Sequence, residues 1–581
     1  MKTLRNCILL IFIVQLTFIL TINCYGQVNG NAYLSGQTDH SGIKVKFIPN
    51  SITAQKDSTF SNTNGSYSIN LSGGLYQVLY SKSGYQDIYY NKGNIVAIAT
   101  SDKLSDITLL KGIAIYVTGN VSGTWTSNNI YIINSDITIP NNNTLKINPG
   151  TMVKFNGDYS IIANGTLLAF GSESPIIFTS NFSKPAEGNW NKIEINNSTS
   201  RISHCIIEYC KYAFYFSDYS PTISNNIIRN ISEGGIYCLN GSPLITGNTI
   251  YNFNIQTFSW GIWVEGYNSK STIECNTIFN GSGRGISTKS NNIVRNNIIY
   301  NISNPYSGVG IRVSNECHTL IENNYVHDCR IGIDIANSVS DIPDPLIVNN
   351  TIINNSDAGI YFHDFYAKGT VINNIIISNG YGIKQDVPDC APLCSTTPEV
   401  VAHNLVWNNT NGNFYTVQIA GIGKIVTTNS NGDPIDPYFN LTQNPLFVSN
   451  TPPIISSNSP CVNAGDSIYA YNLGFDTHFI CQQTSQTINE KMKINNEINV
   501  ECSPNPFSEI INIIYSVPFD TYVDIKIIDL FGRLQIQILN DYKIKGEYNF
   551  NFNGKNIQPG IYFMILTTKD NKRASKIIVK Y

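Results

Sequence analysis

The chain has 581 residues, of which 42% are apolar and 13% charged, with 37 Lys+Arg against 40 Asp+Glu. That length allows several domains. The apolar content excludes a disordered chain, and the lack of a basic cluster excludes a nucleic-acid binder.

Residues 1–26 read as a secretory signal peptide. Lys2 and Arg5 give a positive start, Cys7 to Ile22 is mostly apolar, and Cys24-Tyr-Gly26 is a small-x-small cleavage site. No later apolar stretch approaches the length of a membrane-spanning helix, so no transmembrane segment is expected after leader removal. Of the 13 cysteines, Cys7 and Cys24 belong to the leader. Cys390 and Cys394 are spaced for a local disulfide, and Cys461 with Cys481 is a second candidate pair. Cys205, Cys238 and Cys275 fall at repeat positions and read as small core residues. No tight CxxC pair accompanies them, so no metal site is expected.

Residues 27–111 form a separate unit. Strand-like runs alternate in Thr63-Asn-Gly65-Ser-Tyr67-Ser-Ile69-Asn-Leu71 and Gly74-Leu-Tyr76-Gln-Val78-Leu-Tyr80, ending in Lys82-Ser-Gly84-Tyr85. Period-two patterning with glycine turns predicts a small antiparallel sandwich. These strings resemble the carboxypeptidase regulatory-like domain, and the resemblance implies an accessory sandwich without catalysis.

Residues 113–480 are the long middle part. Its unit is an apolar residue, two more, an Asn, one more, then an apolar residue: Ile223-Ser-Asn-Asn226-Ile-Ile228, Ile245-Thr-Gly-Asn248-Thr-Ile250, Ile273-Glu-Cys-Asn276-Thr-Ile278. The pattern returns at Asn297, Asn324, Asn350, Asn374 and Asn404, and Cys205 holds the Asn place in a degenerate first copy. Spacings of 21 to 30 residues signal a solenoid. A second signal keeps step with the first: small-apolar pairs at Ala213-Phe214, Gly235-Ile236, Gly261-Ile262, Gly285-Ile286, Gly310-Ile311, Gly332-Ile333, Gly359-Ile360 and Gly382-Ile383. Short β-branched runs between Asn/Gly/Ser turns, with no amphipathic helix, predict three short strands per coil. Coils then stack about 4.8 Å apart, and one Asn per coil can bond to its equivalents above and below.

The opening strings of this part are Thr144-Leu-Lys-Ile-Asn-Pro-Gly150-Thr-Met-Val-Lys-Phe155 and Gly165-Thr-Leu-Leu-Ala169. They look like the first coils of bacterial secreted β-helix proteins. The repeats that follow resemble those of pectate-lyase-like right-handed parallel β-helices. Asn444-Pro-Leu-Phe447 and Asn458-Ser-Pro-Cys461-Val-Asn-Ala-Gly465 resemble the segment that closes such helices. An open solenoid end needs a cap, a role that falls to 430–480.

Residues 481–499 are polar and read as a linker. Residues 500–581 return to strand patterning. Ser503-Pro-Asn-Pro-Phe507, Asp529-Leu-Phe-Gly532-Arg533, Pro559-Gly-Ile-Tyr562 and the tail Lys576-Ile-Ile-Val-Lys-Tyr581 resemble the C-terminal sorting domain of the type IX (Por) secretion system of Bacteroidetes. The resemblance implies passage through periplasm and outer membrane, then release or surface attachment, with the secretion machinery as partner. The whole chain is thus expected to be all-β: a right-handed parallel β-helix solenoid flanked by two small β-sandwich domains.

Chemistry is sought on the outward side chains. If the apolar residue of each Gly-Ile pair points inward, the next points out. The first outward column is then Tyr237, Trp263, Ser287, Arg312, Asp334, Tyr361 and Lys384. The second is Leu239, Glu265, Lys289, Ser314, Ala336, His363 and Asp386. A slip of one residue would reverse both. Rings beside charged groups suit a sugar chain, and cations suit uronates or sulfates. Trp260 lies just before this strand, and the long turns Asn248–Gly261 and Asn297–Gly310 are placed to wall a groove.

On this reading Tyr237, Trp263, Glu265, Asp334, Tyr361, His363, Lys384 and Asp386 bind substrate. Lys289 or Lys384 would act as base, with Arg312 as its positive partner, in a lyase acting on uronic acids. Such a lyase uses a positive group or Ca²⁺ to stabilise the anion; no other cofactor is implied. Glu265 and Asp334 lie three coils, about 14 Å, apart, too far for a glycosidase pair unless a loop supplies another acid such as Asp364. Two classes stay open: a secreted or cell-surface β-helix that binds, and by lyase chemistry cleaves, extracellular polysaccharide; and a non-catalytic adhesive or structural surface protein.

Overall fold

The computed structural model describes residues 25–50, 56–99, 102–253, 259–266, 269–314, 318–336, 343–363, 367–386, 398–450, 453–470, 472–475, 499–503, 507–517, 521–529, 534–543, 546–569 and 573–580. The signal peptide up to Cys24, the Cys390–Cys394 loop, the linker as far as residue 498 and the closing Pro504–Pro506 and Gly532-Arg533 strings fall outside them. Among the described residues no helix is long and apolar enough to cross a membrane.

The middle part is a parallel β-solenoid with three sheets. Sheet A has 12 strands, from Gly123–Trp125 to Val400–Ala402. Sheet B runs from Met152–Phe155 to Leu405–Trp407, and sheet C from Ile161–Ala163 to Gly412–Tyr415. Each coil visits A, B and C in turn: Thr222–Ser224, Ile227–Ile231, Gly234–Leu239. Inward Ile, Val and Phe from all three sheets make one continuous core.

The Asn residues sit at the corner between sheets A and B, where the chain must turn sharply. Buried Asn276 donates from both its backbone N–H and its Nδ2 to Asn297 Oδ1, each at 3.0 Å. Its Nδ2 also reaches the Ile245 carbonyl at 3.0 Å. The corner's unpaired backbone groups are thereby satisfied inside the protein. The residue before each ladder Asn takes a left-handed conformation, as at Asn225, Asn296, Asn323, Asn349 and Asn373. Asn tolerates this conformation better than most residues, which accounts for the Asn-Asn doublets. The ladder runs one rung beyond the sequence pattern, to Asn440, and ends on the buried carboxylate of Asp436 at 3.0 Å. A second ladder, Asn355–Asn379–Asn409, occupies the corner between sheets B and C.

The small residue of each Gly-Ile pair opens sheet C at that same corner. A Cβ on Gly285 would lie 2.6 Å from the Gly310 carbonyl oxygen of the next coil, so the coils could not stack at sheet spacing.

Residues 27–111 fold as two packed sheets around a core that includes Val28, Val45, Phe47, Tyr76, Val78 and Tyr80. Tyr25–Leu34 pairs antiparallel with Ser66–Ser72 and parallel with Ile107–Leu109. This unit lies on the outer face of sheet B, where Tyr89, Leu79 and Ile95 meet Ile206, Ile227, Tyr251 and Phe279. The segment expected to cap the solenoid does more than close its end. Leu441 pairs with Leu405, and the chain then runs back along sheet B until Gly474 bonds to Asn373 and Phe475 to Thr351. Ile353, Ile375 and Ile377 are buried beneath it.

Two cysteine expectations are corrected. Cys275 is not a core thiol but is disulfide-bonded; it occupies the left-handed corner position and is half-buried. Cys461 is a free, buried thiol of the returning segment, packed in the cluster that covers sheet B, so it does not pair with Cys481.

The second compact unit holds the C-terminal strands. Asn499–Ser503, Ile510–Val517 and Gly546–Asn553 form one sheet, and Leu534–Lys543, Thr521–Asp529, Gly560–Thr568 and Arg573–Lys580 form the other. Ile511, Ile513, Val523, Ile525, Met564 and Leu566 fill the space between them.

Candidate functional site

The candidate site is the outer face of sheet C. Strand pairing aligns Tyr215, Tyr237, Trp263, Ser287, Arg312, Asp334, Tyr361 and Lys384 in one column. Leu239, Glu265 and Lys289 align in the second, as do Ser314, Ala336 and His363. Intervening residues such as Val264, Val313 and Phe362 are 0% exposed in the core. Pointing outward does not mean standing in solvent, however: Ser287 is 0% and Asp334 1% exposed, because long neighbours close over them.

One end of the strip is aromatic. Tyr215 and Tyr237 stack with centroids 5.0 Å apart, and Trp263 stands edge-on to Tyr237 at 5.5 Å and to Trp260 at 4.3 Å. Trp260 lies against Gly234, where a Cβ would be 2.5 Å from its Nε1. Glu265 ties this end together. It accepts from Tyr237 Oη at 2.6 Å and pairs with Lys289 Nζ at 2.9 Å, and the Lys289 ammonium sits 5.2 Å from the Trp263 ring centre. Burial, then the bond to Glu265, pushes the Tyr237 phenol well above its usual pKa, so it remains a donor.

The centre is ionic. Arg312 Nη1 is 2.6 Å from Asp334 Oδ2, and His363 Nδ1 is 3.5 Å from Asp334 Oδ1. Burial opposes the Asp334 charge, but His363, Arg312 and Arg284 outweigh it and hold the carboxyl below its usual pKa. His363 stacks on Tyr361 at 4.7 Å, and Tyr361 Oη donates to Asp386 at 2.7 Å. At the far end Lys384 lies 4.2 Å from the Tyr361 ring centre and 3.1 Å from Asp357, which Arg330 also holds at 2.8 Å.

Every residue singled out from the sequence is therefore on one face, in three linked groups. Lys289 and Arg312, placed in the sequence as base and partner, are each ion-paired with an acid from an adjacent coil. The sequence reading missed Arg284, Tyr381, Tyr212 and Asp357. Arg284 and Tyr381 align with Trp260 and Ala358, one position before each Gly-Ile pair. The signal was available there, since Trp260 already marked the position. Asp364 falls outside the described residues. The turn at Asn304–Gly308 carries Tyr306, which is 87% exposed. Among the described residues no three His, Cys, Asp or Glu side chains are grouped to hold a metal ion.

The coils and the C-terminal strands define an exported β-helix protein. Residues 191–343 and 246–387 match the family described as the right handed beta helix region. Residues 502–580 match the secretion system C-terminal sorting domain, which indicates export by the type IX machinery to the cell surface or beyond. Among solved structures, the periplasmic alginate epimerase AlgG is similar at 14% identity over 52% of this chain and 84% of that one, with a TM-score of 0.30. The pectate lyase Pel9A is similar at 14% identity over 63% and 96%, with a TM-score of 0.34. No curated protein matches the chain.

Proposed function

We propose that the protein binds extracellular polysaccharide along the outer face of sheet C, with the N-terminal sandwich as a non-catalytic brace on sheet B. The observation that carries this reading is the run of Tyr215, Tyr237, Trp260 and Trp263 leading directly into the charged centre. Aromatic faces stack on the apolar faces of sugar rings, and the flanking charged groups hydrogen-bond to hydroxyls and acid groups. A solenoid repeats its coils, so one extended face meets several successive sugars. The test is a polysaccharide binding screen of the mature chain. Retention of at least one glycan by the wild type, lost in Trp263→Ala, is the expected result; no retention of any glycan would leave the adhesive or structural reading.

Asp334, His363 and Arg312 support a second step, eliminative cleavage of a uronate chain. In that chemistry a base takes the proton on the carbon next to the carboxylate, a cation stabilises the resulting anion, and the neighbouring glycosidic oxygen leaves. The sequence gives the proton to Lys289 or Lys384. What supports His363 instead is that a neutral imidazole nitrogen can accept a proton whereas an ion-paired ammonium cannot, and that the ring stands 3.5 Å from Asp334 in the ionic centre. Arg312 keeps the role of positive partner. Ultraviolet absorbance of new unsaturated uronate ends, abolished in His363→Gln and in Arg312→Ala, is the result this step requires. Abolition by Lys289→Ala with His363→Gln still active would return the base to the lysine.

A further inference from the structure

We propose that Arg284 is the anion-reading residue of the groove, taking a carboxylate or sulfate of a bound sugar against its guanidinium and that of Arg312, which close over Ser287. The inference rests on the groove binding polysaccharide, and adds which group on the sugar is recognised and by what.

The placement of Arg284 follows from the column. Trp263, Ser287 and Arg312 are successive rungs, and Ser287 is the short one. Arg284 comes from the same strand as Ser287 and reaches its hydroxyl with Nη1 at 3.5 Å. Its neighbours in register are Trp260 and Val309, neither of which offers an acid.

The charges around it are already committed. Glu265 holds Lys289 at 2.9 Å, Asp334 holds Arg312 at 2.6 Å, and Asp357 holds both Arg330 and Lys384. Among the described residues Arg284 makes no ion pair. The Trp263 ring stands on the rung beside Ser287, and among the described residues its indole N–H is buried without an acceptor. Burial, and then the Arg312 charge, lower the Arg284 pKa to about 10, while Asp334 acts the other way. The guanidinium thus stays charged at neutral pH beside a second guanidinium. Two such groups side by side are what a planar or tetrahedral oxyanion satisfies, through paired N–H···O bonds.

The alternative is that Arg284 merely shields Ser287 and the strand beneath, its stem packed and its head in water. Affinity on matched glycan pairs separates the two. The mature chain is titrated with polygalacturonate and its full methyl ester, which differ in the carboxylate, and with dextran sulfate and dextran, which differ in the sulfate. The proposal expects one anionic member to bind at least about tenfold tighter than its neutral counterpart, the range of a charged hydrogen bond. Arg284→Met removes that preference, and Arg284→Lys, which keeps the charge and the fold, restores part of it. Which pair shows the preference decides between carboxylate and sulfate. Equal binding within both pairs, or an unchanged preference in Arg284→Met, overturns the proposal while leaving glycan binding intact. Binding of none of the four, nor of any glycan in the wider screen, removes the reading on which it rests.

Discussion

Sheets B and C are built from the same short strands with the same inward Ile and Val residues, yet their outer faces have opposite fates. On sheet B the outward columns run Ile206, Ile227, Thr249, Thr277, Ile298 and Tyr325, and Arg229, Tyr251, Phe279, Tyr300 and His327. The rings stack rung on rung, with Tyr251–Phe279 and Phe279–Tyr300 centroids both 4.8 Å apart. Both halves are covered, one by the N-terminal sandwich and the other by the returning segment around Leu473. On sheet C the outward columns carry the cations, acids and rings of the groove. The contrast shows that a sheet buried on both faces reads as apolar on both, whereas one buried once alternates. Coil stacking sets where side chains point; what packs on the outside sets which of them remain for a ligand.

The contrast breaks most visibly at Arg229. Arg229 and Glu208 are 1% and 2% exposed, paired at 2.8 Å beneath Tyr89 of the sandwich. Arg229→Ala leaves a buried carboxylate without its cation and is expected to lower stability by about 3–5 kcal/mol, read from denaturant unfolding of the mature chain. Glycan retention by the folded variant is expected to be unchanged, because the lesion lies on sheet B. Loss of retention with little loss of stability would mean that the two faces are not independent.

Next in size is the ladder, which both sheets share. Asn297 is 0% exposed and bonds to Asn276, Asn324 and the Ile273 carbonyl. Asn297→Ala strands several buried backbone groups and should cost about 1–3 kcal/mol, measured the same way. An effect near zero would mean that the corner relaxes or admits water.

Trp263→Ala should do the reverse of Arg229→Ala. Its ring is part of the open platform, so the expected loss is in affinity, about 2 kcal/mol for an aromatic anchor. Calorimetric titration with a retained glycan reads the loss, and the thermal midpoint should move by only a few degrees. A large fall in the midpoint with unchanged affinity would make Trp263 a structural residue.

The smallest effect is on pH. The Asp334 carboxyl is lowered in the folded protein, so its charge contributes stability above its unfolded pKa, and that contribution is lost as pH falls through the folded value. Unfolding followed from neutral pH down to strongly acidic pH should show a shallower loss for Asp334→Asn than for the wild type. Equal slopes would show that Arg312 and His363 add nothing to the folded charge.

Much of this was legible in the sequence, for a physical reason. Strand alternation is strict, so one correct assumption, that Ile236 and Ile262 point inward, ordered both columns from Tyr237 to Asp386. The Asn spacing was equally plain because each corner needs the same amide. What the sequence withheld depends on neighbours that are distant along the chain. Nothing local says that Asp334 lies under Arg312 and His363, that Asp357 serves two cations, or that no acid among the described residues pairs with Arg284. Nor does a Thr or Tyr in sheet B reveal that Leu79, Tyr89 and Ile95 of the N-terminal sandwich and the segment around Leu473 lie on top of it. Cys275 reads as a core thiol because Cys is usually buried, but it stands at a corner, in the left-handed position that Asn takes in other coils.

The central claim is that ligand meets the outer face of sheet C and not that of sheet B. Hydrogen exchange of the mature chain, followed by mass spectrometry with and without a retained polysaccharide, tests it most directly. The account predicts slowed exchange in the strands and turns bearing Trp260–Glu265, Arg284–Lys289, Val309–Ser314 and Ile331–Ala336, with Thr249–Phe253 and Thr277–Gly281 of sheet B unchanged. Slowing confined to residues 27–111, or to the sheet B strands, would contradict it.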